Sequence, residues 1–179
     1  MKKVLMILLS MMLIFSAVGC GPGIKPEEPK KPEEPVKQEE PVQDEIPKEP
    51  ETTVSTVKLY LPDDNFMEMQ PVEVQIESSS TKDLTQKIWD ELIAHELFTE
   101  ECKMNSLEEV EDGKLELDVN KAFGDYLRGM GTTGEYFIIG GVVNSMLDAL
   151  GCSSMKITED GGQLATGHVI YDGYLGVYE

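Results

Sequence analysis

The sequence is poor in the residues that most often carry chemistry. Its 179 residues include three cysteines, two histidines and one tryptophan. His95 and His168 stand far apart and no CxxC pair occurs, so no zinc ligand set is recognisable. There is no G-x-S-x-G elbow and no glycine loop of the kind that cradles phosphate. The serines at 78, 79, 80, 106, 145, 153 and 154 have no base assigned by pattern. Basic residues are scarce too: 15 Lys plus Arg stand against 34 Asp plus Glu, a net charge of −19. That balance argues against nucleic acid as a partner and against direct adsorption to anionic lipid. With so many carboxylates, some must fall close together by number alone, so a close pair says nothing of hydrolase chemistry. The reading is a non-enzyme, with no catalytic, cofactor-binding or metal-ligating residue to name.

Long apolar runs are also missing, with one exception at the start. Val4 to Val18 is apolar apart from Ser10 and Ser16, which falls short of the roughly 20 residues a membrane span needs. Lys2 and Lys3 precede it and Gly19-Cys20-Gly21-Pro22-Gly23 ends it. A charged start, a short apolar core and small residues before a cut site describe a secretory signal. Ala17-Val18-Gly19-Cys20 resembles the lipobox of bacterial lipoproteins. The resemblance implies a thioether-linked diacylglycerol on Cys20 and assigns residues 1–20 to a lipoprotein signal. Such an anchor places the chain on the outer face of the cytoplasmic membrane, since two acyl chains hold a protein stably where one does not. A plain secretory signal with a chance cysteine is the alternative. Cys102 and Cys152 then remain, either bridged, as an extracytoplasmic setting permits, or as two buried thiols. Spacing cannot show that they meet.

Residues 21–55 have little apolar surface and hold eight of the ten prolines. Lys-Pro-Glu-Glu-Pro recurs almost unchanged across 25–35. Such a segment cannot bury enough surface to offset its ordering entropy, and proline favours an extended polyproline form. It reads as a disordered spacer that could reach about 100 Å at full extension. The signal contributes +2 and the spacer −5, leaving −16 on residues 56–179. Those residues amount to one ordinary domain.

Within the domain, Val54–Leu61 and Pro71–Glu77 alternate as strands on either side of a Pro62-Asp63-Asp64-Asn65 turn. Asp63, Asp64 and Asn65 lack the ligand ladder of a calcium loop. A capping box at Ser80-Thr81-Lys82-Asp83 opens a helix predicted to run to Phe98, with Trp89 on its core face and His95 on its flank. Leu107–Val110 and Lys114–Val119 form a hairpin about Glu111-Asp112-Gly113. Asn120–Gly131 reads as loop with at most one helical turn. A second capping box, Thr132-Thr133-Gly134-Glu135, starts a more apolar helix that ends at Gly151. Gly140-Gly141 within it weakens the helix by about 1 kcal/mol each, which close approach to a strand would explain. Ser154–Thr158 gives a strand, and His168–Tyr171 and Tyr174–Tyr178 are shorter candidates. The expected class is α+β, two helices on one face of a mixed or antiparallel sheet.

Several segments resemble the GerMN domain, the sporulation and germination domain of bacterial lipoproteins. They are VKLYLPDDN (57–65), DELIAHEL (90–97), EVEDGKLELDVNKAF (109–123), VVNSMLDALG (142–151) and MKITEDGGQ (155–163). The core from Thr81 to Thr158 is also similar to the ring-building motif of secretion-type assemblies. The resemblance implies a lipid-anchored, extracytoplasmic contact or assembly module that meets a protein partner or itself. Peptidoglycan binding, or service as an accessory to cell-wall amidases, is the second implication. The best-known members carry two such domains in tandem and this chain has one. The family supplies no catalytic residues to carry over.

Overall fold

Alternation of apolar and polar residues sets the opening hairpin. Strand β1 (Thr53–Pro62) pairs antiparallel with β2 (Met69–Ser78) in unbroken register from Thr53–Ser78 to Pro62–Met69. Val57, Leu59 and Ile76 point inward and are buried. Asp63 organises the turn, its carboxylate accepting the N–H groups of Met67 at 2.6 Å and Glu68 at 3.0 Å. These backbone donors, Glu68 foremost, hold the Asp63 carboxyl below the usual carboxylate range. The computed structural model describes residues 51–111 and 113–179. The signal, Cys20 and the spacer up to residue 50 lie outside the described residues.

Helix α1 (Thr81–Ala94) starts where its capping box predicts, with Ser80 Oγ accepting from Asp83 N–H at 3.1 Å. The return bond goes to Ser79 N–H rather than Ser80 N–H, at 2.9 Å from Asp83 Oδ2. The helix stops four residues before the predicted Phe98. Glu96 takes a left-handed backbone (φ 61°) and Leu97 N–H bonds back to Leu92 O at 3.0 Å. That reversal drops Leu97 and Phe98 into the core. There Phe98, Trp89 and Phe123 form a ring cluster with centroids 4.7 to 5.4 Å apart. Trp89 is fully buried, and its indole N–H donates to Cys102 O at 3.1 Å.

The segment expected to be loop holds a second helix, α2 (Lys121–Arg128). Asn120 caps it, accepting from Phe123 N–H at 3.1 Å, and Phe123 and Leu127 bury one face. Gly124 leaves room for the Glu159 carboxylate, which a Cβ would meet at 2.4 Å and push aside. Arg128 closes the same contact, its guanidinium donating to both Glu159 oxygens at 2.7 and 2.8 Å.

Helix α3 (Thr132–Leu150) begins at Gly131, which makes no side-chain cap. The predicted capping box therefore does not form. Glu135 turns inward instead, its Oε1 accepting hydroxyl bonds from Thr166 and Tyr171, each at 2.7 Å. Every residue from Phe137 to Leu147 is buried. A helix apolar all round is one enclosed on all sides. Gly151 ends it with φ 65°, as predicted.

The remaining strands are β3 (Met104–Val110), β4 (Lys114–Val119), β5 (Ser154–Glu159), β6 (Gly162–Ala165) and β7 (Ile170–Tyr171). They form a five-stranded sheet in that order, antiparallel except for the parallel β4–β5 pair. The parallel pair requires a crossover, which α2 and α3 supply. Asp160 (φ 47°) and Gly161 (φ 73°) make the tight β5–β6 turn. From Tyr174 to Tyr178 only Leu175 makes a bridge, to Met155. The α+β class holds, with two departures: three helices instead of two, and an opening hairpin that forms its own sheet. Leu59 from the hairpin, Val143 from α3 and Leu117 from the five-stranded sheet belong to one core cluster. Burying each such side chain contributes about 1.5–3 kcal/mol.

Candidate functional site

The sheet register sorts β3 and β4 side chains onto two faces. Leu107 opposes Leu117 and Glu109 opposes Leu115 on the helix side. Ser106 opposes Asp118 and Glu108 opposes Glu116 on the open side. β3 ends the sheet, so among the described residues its outer edge pairs with no strand. Beside that edge runs a groove of about 390 Å³ between β3 and the first turns of α1. Lys82, Thr85 and Gln86 form its helix wall, Met104 and Leu107 its strand wall, with Leu115 and Leu150 beneath. An edge of unsatisfied backbone donors and acceptors beside an apolar trough is the geometry that lets an extended segment add as a strand. The outer edge of β2 lacks that setting, since Pro71 removes a donor from it.

The open face is polar. The Glu108–Glu116 pair is directly opposed, and Lys156 on β5 lies opposite Glu116. Tyr174 O–H also donates to Glu116 at 2.7 Å. Among the described residues Glu108 and Glu109 have no ion-pair partner. Asp118 is better served. Burial would raise its pKa, but the Thr158 hydroxyl, the Asn105 amide and Gly161 N–H together hold it below the usual range.

The structure does not bring Cys102 and Cys152 together, and both are free thiols. The residue after Cys102 accepts from Asn120 N–H just beyond the end of β4, while the residue after Cys152 donates to Gly113 O just before its start. Those positions are about 20 Å apart along the strand direction, far beyond the roughly 6 Å between bridged Cα atoms. Burial pushes both thiols up from their ordinary pKa. His95 lies exposed at the end of α1, with Nε2 4.0 Å from Glu91. His168 lies exposed in the β6–β7 connection. Among the described residues no three of His, Cys, Asp and Glu gather as a metal site would need.

Two features were invisible by pattern. Glu135 is 2% exposed, and its Oε2 finds no hydrogen-bond partner among the described residues. Burial, followed by the hydrogen bond to Glu135, pushes the Tyr171 hydroxyl far up. The other is the seat of the C-terminal tail on α3. Asn144 bonds the Tyr178 backbone in both directions, at 2.8 and 2.9 Å. Gly140 leaves room beneath Tyr178.

Fold and surface together define an α+β domain with a groove of about 390 Å³ beside the outer edge of β3. The chain belongs to the Germane family, described as sporulation and spore germination, whose model matches residues 58–165. No curated protein matches significantly. The fold is similar to the first GerMN domain of the sporulation protein GerM from Bacillus subtilis, with a TM-score of 0.50 and 15% identity. That likeness covers 68% of this chain and 97% of that one. It is also similar to the tandem GerMN domains of the same protein, at 0.50 and 16%, over 71% of this chain and 45% of that one. A candidate lipoprotein from Clostridium perfringens matches at a TM-score of 0.46 and 12% identity, over 70% of this chain and 87% of that one, too loosely to bear weight.

Proposed function

We propose that this chain is a lipid-anchored, extracytoplasmic contact module acting in spore formation, germination or envelope assembly. Cys20 carries the anchor on the outer face of the cytoplasmic membrane. Residues 21–55 form the spacer and residues 56–179 the domain that meets a protein partner. Membership of a sporulation and germination family supports the setting. The observation that carries the contact reading is the free β3 edge beside the apolar trough. Self-association is disfavoured by the −16 charge of the domain. Peptidoglycan binding, or service to cell-wall amidases, is the weaker reading, because the polar open face carries carboxylates rather than a sugar-sized cleft with stacked aromatics.

Gln86→Trp tests the contact reading, because Gln86 is exposed and a tryptophan there fills the groove. In the parent organism this variant is expected to be as abundant and as firmly membrane-bound as the natural chain, yet to reproduce the phenotype of deletion. Full function with the groove plugged refutes the contact site. Cys20→Ser tests the anchor separately and is expected to leave the membrane fraction.

A further inference from the structure

We infer that the β3 edge takes an extended segment of a basic partner protein in which apolar and Lys or Arg residues alternate. The inference rests on the groove being the contact site proposed above and adds the chemistry of what fills it.

The register dictates the alternation. A strand laid against β3 sends successive side chains to opposite faces of the sheet. On one face they enter the trough beside Leu107, over Leu115 and Leu150, where an apolar side chain is favoured. On the other they stand beside Glu108, which already faces Glu116 across the β3–β4 ladder. Like charges directly opposite are unfavourable, and Lys156 serves this row only from the far side of Glu116. A Lys or Arg next to Glu108 gives the opposed Glu108–Glu116 pair a cation on each side. Glu109, exposed at the rim of the trough, adds a second negative charge on β3, against the single positive one of Lys82 on the helix wall.

The same charges select against other occupants. Pairing β3 with the β3 of a second copy brings two Glu108–Glu109 pairs into one seam, between two domains of −16. Charged residues on an edge strand are a common guard against such self-pairing. Here the guard is of one sign, so it repels a twin and an acidic strand while admitting a basic one.

The experiment uses the full chain and three labelled synthetic peptides. The first is Lys-Val-Lys-Val-Lys-Val-Lys. The second replaces each Lys with Glu. The third has the first's composition in two blocks, four Lys then three Val. Anisotropy measures affinity, and hydrogen exchange locates the contact. The alternating basic peptide is expected to bind, to protect the amides of Asn105–Glu109 and to weaken as salt rises. Glu108→Lys and Gln86→Trp are each expected to reduce its affinity about tenfold or more. Both positions are exposed, so the fold survives either change.

Equal binding of the block peptide means charge adsorption without strand addition and overturns the inference. Equal or tighter binding of the acidic peptide, still lost in Gln86→Trp, overturns the partner chemistry and leaves the contact site standing. If no alternating peptide binds, or Gln86→Trp changes nothing, the inference and the contact site fall together. Protection of Asn105–Glu109 that grows with protein concentration and needs no peptide identifies a second copy as the occupant and overturns the inference.

Discussion

Replacing Gly141 by alanine tests the seam between α3 and β1. Helix propensity alone favours the substitution by about 1 kcal/mol. Packing opposes it, because a Cβ would lie 2.7 Å from Tyr60 O and 2.7 Å from Leu97 Cδ2. Leu97 can shift a little, but the backbone of Tyr60 cannot. It sits within the β1–β2 ladder, and its N–H is tied to Ser145 Oγ on α3 at 2.9 Å. Forcing a methyl into such a seam costs about 1–3 kcal/mol and sometimes more. A clash this close to fixed backbone belongs in the upper half of that range, so after the propensity gain the net loss is about 1–2 kcal/mol, or some 4 °C in Tm per kcal/mol for a domain of this size. Gly140→Ala is the control. Its Cβ would meet the flexible end of Met69 at 2.4 Å and Tyr178 Cβ at 3.1 Å. A methionine terminus can swing away, so the propensity gain nearly offsets the cost. Urea unfolding followed through the single tryptophan, Trp89, reads both variants. Gly141→Ala as stable as the natural chain, or more stable than Gly140→Ala, refutes the reasoning.

Tyr171→Phe removes one of the two hydroxyls bound to Glu135 Oε1 and should cost about 1–2 kcal/mol. Glu135→Ala strands the buried Tyr171 hydroxyl, while Thr166 keeps Val169 O as an acceptor, and should cost about 2–3 kcal/mol, with non-additivity in the double variant checked by urea unfolding. Cys152 should alkylate in the native chain and Cys102, fully buried, only after denaturation, with mass spectrometry under non-reducing conditions finding both thiols free. The Asp118 carboxyl lies below its ordinary range when folded, so its share of stability is present above about pH 4 and lost as pH falls through the folded value. Tm measured from pH 5 down to pH 2 should therefore fall less steeply in Asp118→Asn than in the natural chain, and an unchanged slope contradicts this.

Much of this architecture could be read from local pattern. The hairpin, Trp89 as core and the Gly151 cap follow from period, spacing and a single left-handed residue. The glycine pair in α3 could be anticipated as a site of close approach, and Tyr60 O and Leu97 are the groups that require it. What pattern could not reach depends on contacts distant in sequence. Helix α2 escapes local pattern because the contacts that hold it, Arg128 to Glu159 beside Gly124, span thirty-one positions of sequence. Glu135 has the spacing of a cap residue, but Thr166 and Tyr171, over thirty positions away, hold it in the core. Separation of Cys102 from Cys152 follows only once the strand order fixes them at opposite ends of β4. The groove was illegible for the same reason, because it arises from the placement of α1 beside β3. Only the charges on β3 stood in plain view.

A photo-crosslinking amino acid placed in turn at positions 86 and 95 tests most directly whether this domain works by contact through β3. Both positions are exposed, but only Gln86 lines the groove, and His95 lies at the far end of α1 and about half a turn round from it. Irradiating producing cells should join the chain to another protein from position 86 and not from position 95, with the crosslinked peptide of that protein extended and basic. Crosslinks from position 95 alone, or none from 86 while the chain remains anchored and functional, would contradict the account.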